Sequence, residues 1–243
     1  MQPYVVDVEE SNLVILKLEN PGNGDDSYML SHEILFDENM TSDPGIIVSF
    51  SSNPVQLGAG SLRTVPLSVT LPESTPARLP ISISFTMTSQ GNVSVQSDEV
   101  IIFEVRQDHR WSFELIHDGQ EINGTKLFLG PGEERGISID ATNKGNLVDD
   151  ISLDLVTQIF PLGSDSSVGW TANGSSVEGV EVNESVSLEI NFEAPEDSWN
   201  GSIMRVDVTG MARDEMVVEF HFMIEVTRVP GWGVSSSISD LEI

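Results

Sequence analysis

Ser187-Leu188-Glu189-Ile190-Asn191-Phe192 sets every apolar residue on one side of an extended chain and every polar residue on the other. Successive side chains of a strand point to opposite faces, so this rhythm describes a strand with one buried face. The same period runs through Gly136-Ile137-Ser138-Ile139-Asp140-Ala141, Ile151-Ser152-Leu153-Asp154-Leu155 and Ile81-Ser82-Ile83-Ser84-Phe85-Thr86-Met87. Gly, Pro, Asn and Asp interrupt these runs every 8–15 residues or so, the spacing of a β-sandwich. No window carries an apolar i, i+3, i+4, i+7 stripe longer than two turns. The sequence predicts an all-β protein.

The rhythm occurs twice. Asn20-Pro21-Gly22-Asn23 returns as Asn143-Lys144-Gly145-Asn146, an offset of 123 residues (from 20 to 143). Ile81, Ile83 and Phe85 return as Met204, Val206 and Val208, and Pro72-Glu73 as Pro195-Glu196, at the same offset. The 243 residues therefore divide into two tandem immunoglobulin-like β-sandwich domains of roughly 100–120 residues each. The expected boundaries are 1–107 for the first copy, whose opening strand is missing, and 108–228 for the second. Strands of the second copy are expected near 111–115, 127–129, 135–142, 149–159, 166–171, 185–193, 202–209 and 216–227. Trp232-Gly233-Val234 resembles Trp111-Ser112-Phe113 at an offset of 121 (from 111 to 232). The tail 229–243 therefore reads as the start of a third copy and the chain as a slice of a longer array; the plainer reading is a disordered end. The joint around Gln107-Asp108-His109 is short. Pro66 has no N–H to give a ladder, which marks 62–70 as an edge or bulged strand.

Composition narrows the job. Thirty-nine acidic residues against 11 basic ones give a formal charge of −28, which repels nucleic acid and anionic head groups as partners. A solvated surface accounts for this acidity, and carboxylates converging on divalent cations are the sharper alternative. No cysteine is present, which excludes thiolate metal sites, thiol catalysis and disulfides. No apolar run is long enough to span a bilayer, and Met1-Gln2-Pro3-Tyr4 does not open a signal peptide. Six Asn-x-Ser/Thr triplets, at Asn39, Asn92, Asn123, Asn173, Asn183 and Asn200, exceed the roughly two expected by chance and fit N-glycosylation of an exported surface. A Ser-rich, loop-rich β-protein supplies such triplets too.

The repeated loop is the strongest candidate for a specific site. Asn-x-Gly-Asn followed by Asp25-Asp26 or Asp149-Asp150 makes a tight turn with side chains bonded to backbone amides. Its alternative is a calcium site on those four aspartates, although an EF-hand spacing is lacking. His32, His109, His117 and His221 show no zinc spacing, and His221 is expected to face outward between Phe220 and Phe222. No G-x-S-x-G elbow or glycine-rich phosphate loop occurs, and pairs such as Glu9-Glu10 and Glu133-Glu134 arise readily in so acidic a chain. No enzyme is expected. Trp111 and Trp232 open their modules and read as packing residues. Trp199, in a turn, is the candidate for carbohydrate contact.

Asn-x-Gly-Asn…Asp, the mid-module Trp170, then Leu188-x-Ile190-x-Phe192-x-Ala194-Pro195 and Asn200-Gly201-Ser202 together resemble the cell-adhesion-related β-sandwich repeats of archaeal and bacterial surface proteins. The resemblance spans the second copy and the first from about residue 13; Pro76-Ala77-Arg78 lacks the Asn-Gly turn. It implies an extracellular, non-enzymatic spacer or adhesion module with no functional residues to carry over. Its partners would be neighbouring repeats of the same parent protein, another surface protein or a glycan, without membrane insertion. The second reading is a carbohydrate-binding or positioning module accessory to a secreted enzyme.

Overall fold

The computed structural model describes residues 3–35, 45–160 and 169–227, and every regular element among them is a strand. The tail 229–243 and residues 166–168 of one expected strand lie outside the described residues. The chain divides into two compact units, one comprising Met1–His109 and Gly145–Val148, the other Arg110–Lys144 and Asp149–Ile243. Each unit is an immunoglobulin-like β-sandwich, so the chain is all-β throughout its described length.

The first unit holds β1 (Tyr4–Val6), β2 (Ser11–Glu19), β3 (Asp26–Leu35), β4 (Ile47–Phe50), β5 (Val55–Leu57), β6 (Leu62–Thr70), β7 (Pro80–Ser89) and β8 (Gln96–Val105). One sheet runs β1-β8-β7-β3-β5 and the other β2-β6-β4. The strand ladders are antiparallel except that of β1 with β8, and an isolated bridge between Val8 and Leu71 is parallel too. The alternation in the sequence becomes the core: Val14, Leu16 and Leu18 of β2 and Val65, Leu67 and Val69 of β6 point inward, as do Ile81, Ile83 and Phe85 of β7. Each such side chain is worth about 1.5–3 kcal/mol when removed from water.

The second unit holds β9 (Trp111–Glu114), β10 (Ile116–His117), β11 (Gln120–Glu121), β12 (Lys126–Leu129), β13 (Glu134–Asn143), β14 (Asp149–Phe160), β15 (Thr171–Gly174), β16 (Ser176–Val180), β17 (Ser185–Glu193), β18 (Ile203–Ala212) and β19 (Glu215–Val226). Its sheets run β12-β19-β18-β14-β16 and β15-β17-β13-β9. The strand equivalent to β1, β12, again pairs in parallel with the last strand, β19. Most buried strand residues correspond at the offset of 123, as Val14 does with Ile137, Leu67 with Ile190 and Phe85 with Val208. After the β7–β8 turn the offset falls to 121, matching Ile101 with Phe222 and Val105 with Val226. The second copy's turn is thus two residues shorter (123 against 121), and the inward face keeps its phase.

Three local features depart from the sequence reading or add to it. Asp118 and Gly119 both take positive φ, 50° and 74°, which closes β10 and β11 as a two-residue hairpin of the primed kind. The chain passes from one sheet to the other between β15 and β16, and the corner is Gly174, where a Cβ would stand 2.3 Å from the Leu153 carbonyl oxygen. The strand carrying Pro66 is neither an edge nor bulged: β6 is central, between β2 and β4. In an antiparallel ladder a residue's N and O point to the same neighbour. The Pro66 oxygen accepts from the Ser51 N–H at 2.9 Å, so the missing donor faces the place where β4 has already ended.

The repeated Asn explains itself here. Asn20 is 2% exposed and Asn143 fully buried, the one just after β2 and the other at the end of β13. Asn143 Nδ2 donates to the Val180 carbonyl at 2.9 Å, and Asn20 Nδ2 to the equivalent Leu57 carbonyl at 3.2 Å. Val180 and Leu57 end β16 and β5, strands of the opposite sheet. One primary amide thus bridges two sheets in each sandwich. Asn143→Ala leaves the bond unmade in a buried site, so we expect a loss of about 1–3 kcal/mol in urea unfolding, with the exposed Asn173→Ala as the unchanged control. An Asn143→Ala midpoint equal to that of the control would refute the bridge.

Candidate functional site

The loop that follows each bridging Asn was the place where the sequence put a tight turn or a cation. Asn20 closes its own loop: Oδ1 accepts from the Gly22 N–H at 3.0 Å and Nδ2 donates to the Gly24 carbonyl at 2.9 Å. Asn146, in the second loop, belongs to the first unit. Its Nδ2 donates to the Arg106 carbonyl at 3.1 Å, and its Oδ1 accepts from the Asp108 N–H at 2.8 Å. Loop polar groups of this kind need partners when water is excluded, and here the backbone supplies them.

The four aspartates fall into two kinds. Asp26 and Asp149 are equivalent, each opening the strand after the loop and each accepting from the next residue's N–H, at 2.7 and 3.0 Å. Asp149 is 2% exposed, and its carboxylate also takes the Trp111 indole N–H at 3.3 Å and lies 3.8 Å from the Arg213 guanidinium. A buried carboxylate persists only with such partners. Asp26 accepts instead from the Ser89 hydroxyl and from the Gly91 N–H at 3.3 Å. The Ser89 hydrogen bond, more than any other cause, holds the Asp26 carboxyl below the usual carboxylate range, partial burial opposing it. Asp25 and Asp150 are exposed and peg neighbouring turns, accepting from the Ala59 and Gly179 N–H groups at 3.0 and 2.8 Å. Among the described residues no group of three His, Asp or Glu converges as a metal site would require.

Tryptophans divide as their positions suggest. Trp111 is buried in the core of the second unit, whereas Trp199, in the turn between β17 and β18, is 63% exposed. His221 lies between the buried Phe220 and Phe222. Asn92, Asn123, Asn173, Asn183 and Asn200 are all exposed, while Asn39 lies outside the described residues. One further feature has no signature in the sequence. A cleft of about 770 Å3 opens in the first unit beside β2, lined among others by Ile15, Leu18, Tyr28, Phe85, Met87 and Ile101. Burial raises the pKa of its Tyr28 phenol, helped by the nearby Asp26 charge.

No protein-family model matches this chain, and no curated protein matches it. Solved structures match at low identity. The CFA/I adhesin CfaE of enterotoxigenic E. coli is 7% identical with a TM-score of 0.41, covering 95% of this chain and 99% of its own. The sialic acid-binding region of a Streptococcus sanguinis adhesin is 9% identical with a TM-score of 0.32, covering 93% and 76%. A family 123 glycoside hydrolase from Clostridium perfringens is 14% identical with a TM-score of 0.35; the match covers 51% of this chain and 28% of the hydrolase. Likeness at this level carries nothing about ligand or reaction.

Two measurements test this description. An ionised Asp26 contributes stability above its unfolded-state pKa, and that contribution fades as pH falls through its lower folded value. Ser89→Ala removes the main cause of the lowering. The Asp26 carboxyl should then titrate at higher pH by carbon NMR, with a shallower loss of stability in acid; an unmoved titration defeats the assignment. Because the loop carboxylates already accept backbone amides, the melting midpoint should be the same with calcium and with chelator. A calcium-dependent rise would restore Asp25, Asp26, Asp149 and Asp150 as ligands.

Proposed function

We propose that this chain is a non-enzymatic structural segment of an extracellular surface protein, a spacer or adhesion module built from repeated sandwiches. The observation that carries the reading is the duplication of one mechanical design. Each unit bridges its two sheets with the same buried Asn, Asn20 or Asn143, and pairs its β1-type strand in parallel with its last. What the duplication preserves is the pattern of inward-facing strand positions, as in Val14 and Ile137 or Leu67 and Ile190.

An outer location is supported by five exposed Asn-x-Ser/Thr asparagines, and the strongly acidic composition keeps an exposed protein soluble. Its partners would be neighbouring repeats of the same parent, another surface protein or a glycan. One observation favours the second reading, a carbohydrate-binding module attached to a secreted enzyme: the exposed indole of Trp199, a flat apolar face of the kind on which sugar rings stack.

A glycan array with the native chain and Trp199→Ala separates the two. The spacer reading expects no sugar retained through Trp199. Tight binding that Trp199→Ala abolishes would overturn it in favour of the carbohydrate module.

A further inference from the structure

Four Asn-Gly pairs occur in the chain, at Asn23-Gly24, Asn123-Gly124, Asn173-Gly174 and Asn200-Gly201. Such a pair can react with itself. Glycine has no Cβ to shield its backbone nitrogen, and that nitrogen, once it has lost its proton to solvent base, can close on the side-chain carbonyl carbon of the preceding Asn. The structure hinders this in three of the four. The Gly124 N–H donates to the His221 carbonyl at 2.7 Å, and Asn123 Oδ1 accepts from the His221 N–H at 3.3 Å. The Gly201 N–H donates to the Val226 carbonyl at 2.9 Å. Asn173 and Gly174 are laddered in β15 against Asn191 and Ile190 of β17, at the corner where the Leu153 carbonyl oxygen takes the space of a Gly174 Cβ.

Asn23-Gly24 is different. Both residues are exposed in the loop between β2 and β3, and among the described residues neither the Asn23 side chain nor the Gly24 N–H has a hydrogen-bond partner. Asn20 ties this loop on either side of the reactive atoms, accepting from the Gly22 N–H at 3.0 Å and donating to the Gly24 carbonyl at 2.9 Å. A Cβ at Gly24 would meet nothing within 4 Å, so there is room for a ring to close. In the second repeat the equivalent Asn146 is held at both side-chain atoms, by the Arg106 carbonyl and the Asp108 N–H, and Leu147 follows it. We propose that Asn23 is a site of spontaneous deamidation and isoaspartate formation, set apart by the fold from the other three Asn-Gly pairs. The Gly24 nitrogen bonds to Asn23 Cγ, the Cγ–Nδ2 bond breaks, and the side-chain nitrogen leaves as ammonia with the proton that Gly24 lost. Water then opens the resulting succinimide. Opening at Cγ gives aspartate; opening at the main-chain carbonyl gives isoaspartate, whose backbone runs through Cβ and is longer by that carbon. Either product places a new carboxylate beside Asp25, and the second shifts the Gly24 carbonyl that Asn20 holds. Asn23-Gly24-Asp25 lacks the Ser or Thr of a glycosylation triplet, so N-glycosylation does not block the reaction. This inference is independent of the function proposed above.

Storage of the full chain at mildly alkaline pH, sampled over time by peptide mapping with mass spectrometry and by isoaspartate-specific methylation, tests it. We expect a carboxyl in place of the carboxamide at Asn23, isoaspartate together with aspartate, at a rate that rises with pH because the attacking nitrogen must lose its proton. Asn123, Asn173 and Asn200 should convert at least about tenfold more slowly in the folded chain, since each must first open locally. Once urea has unfolded the chain, all four should convert at similar rates. Gly24 has no positive φ and open space around it, so Gly24→Ala should leave the melt unchanged while its methyl group slows the reaction at Asn23. An intact Asn23 overturns the proposal. So does equal conversion of all four pairs in the folded chain, aspartate without isoaspartate, or a Gly24→Ala chain that reacts as fast as the native one.

Discussion

A primary amide held between two sheets fixes each sandwich at one end. Two sheets with apolar inner faces attract each other without direction, since burial depends on area and not on register. Hydrogen bonds supply the direction. Asn20 and Asn143 each sit at the close of a strand of one sheet and donate to the carbonyl that ends a strand of the other. No isosteric alternative does this. A carboxylate in their place has no N–H to offer, and a leucine would leave a buried carbonyl unpartnered, at a cost of about 1–3 kcal/mol. The turn that Asn20 closes on Gly22 and the aspartate that opens the following strand in each unit both start from where this amide must be.

That constraint also sorts what the amino-acid sequence disclosed from what it concealed. Alternation in Ser187–Phe192 or Ile81–Met87 translates directly into strand and buried face, because period two has only one structural meaning. The repeat was equally legible, since the interior of each unit keeps its spacing. Partnership was not legible. Two adjacent aspartates after an Asn-x-Gly-Asn loop look alike in sequence, yet Asp149 is sealed against Trp111 while Asp150 pegs an exposed turn. Pro66 misled for the same reason: a missing N–H matters only on the side that has a neighbour, and β4 stops just short of it. The β10–β11 hairpin was present in Asp118-Gly119 as a turn signal, but the strands on either side are too short to show a period.

Within one chain, two solutions to the same problem can be compared. The Asp149 carboxylate takes an indole N–H where Asp26 takes a serine hydroxyl, and residue 89 is Ser where its counterpart Ala212 has no hydroxyl. A carboxylate at the mouth of the sandwich is the shared requirement, and the donor facing it is exchangeable. Passage between sheets shows the same freedom. Gly174 turns the corner in place, its missing Cβ making room for the Leu153 carbonyl, whereas the first unit spends the segment between Phe50 and Val55 on it.

The change of offset at the β7–β8 turn has a practical reach. Two residues come and go between Ser89 and Gln96 without altering which side chains of the final strand face inward. Asp26 fastens this loop at Gly91, and beyond that point Val93 and Ser94 lie exposed. A foreign epitope grafted between those two positions would be carried on a protein whose interior does not register the insertion, making this turn the natural display port of the molecule.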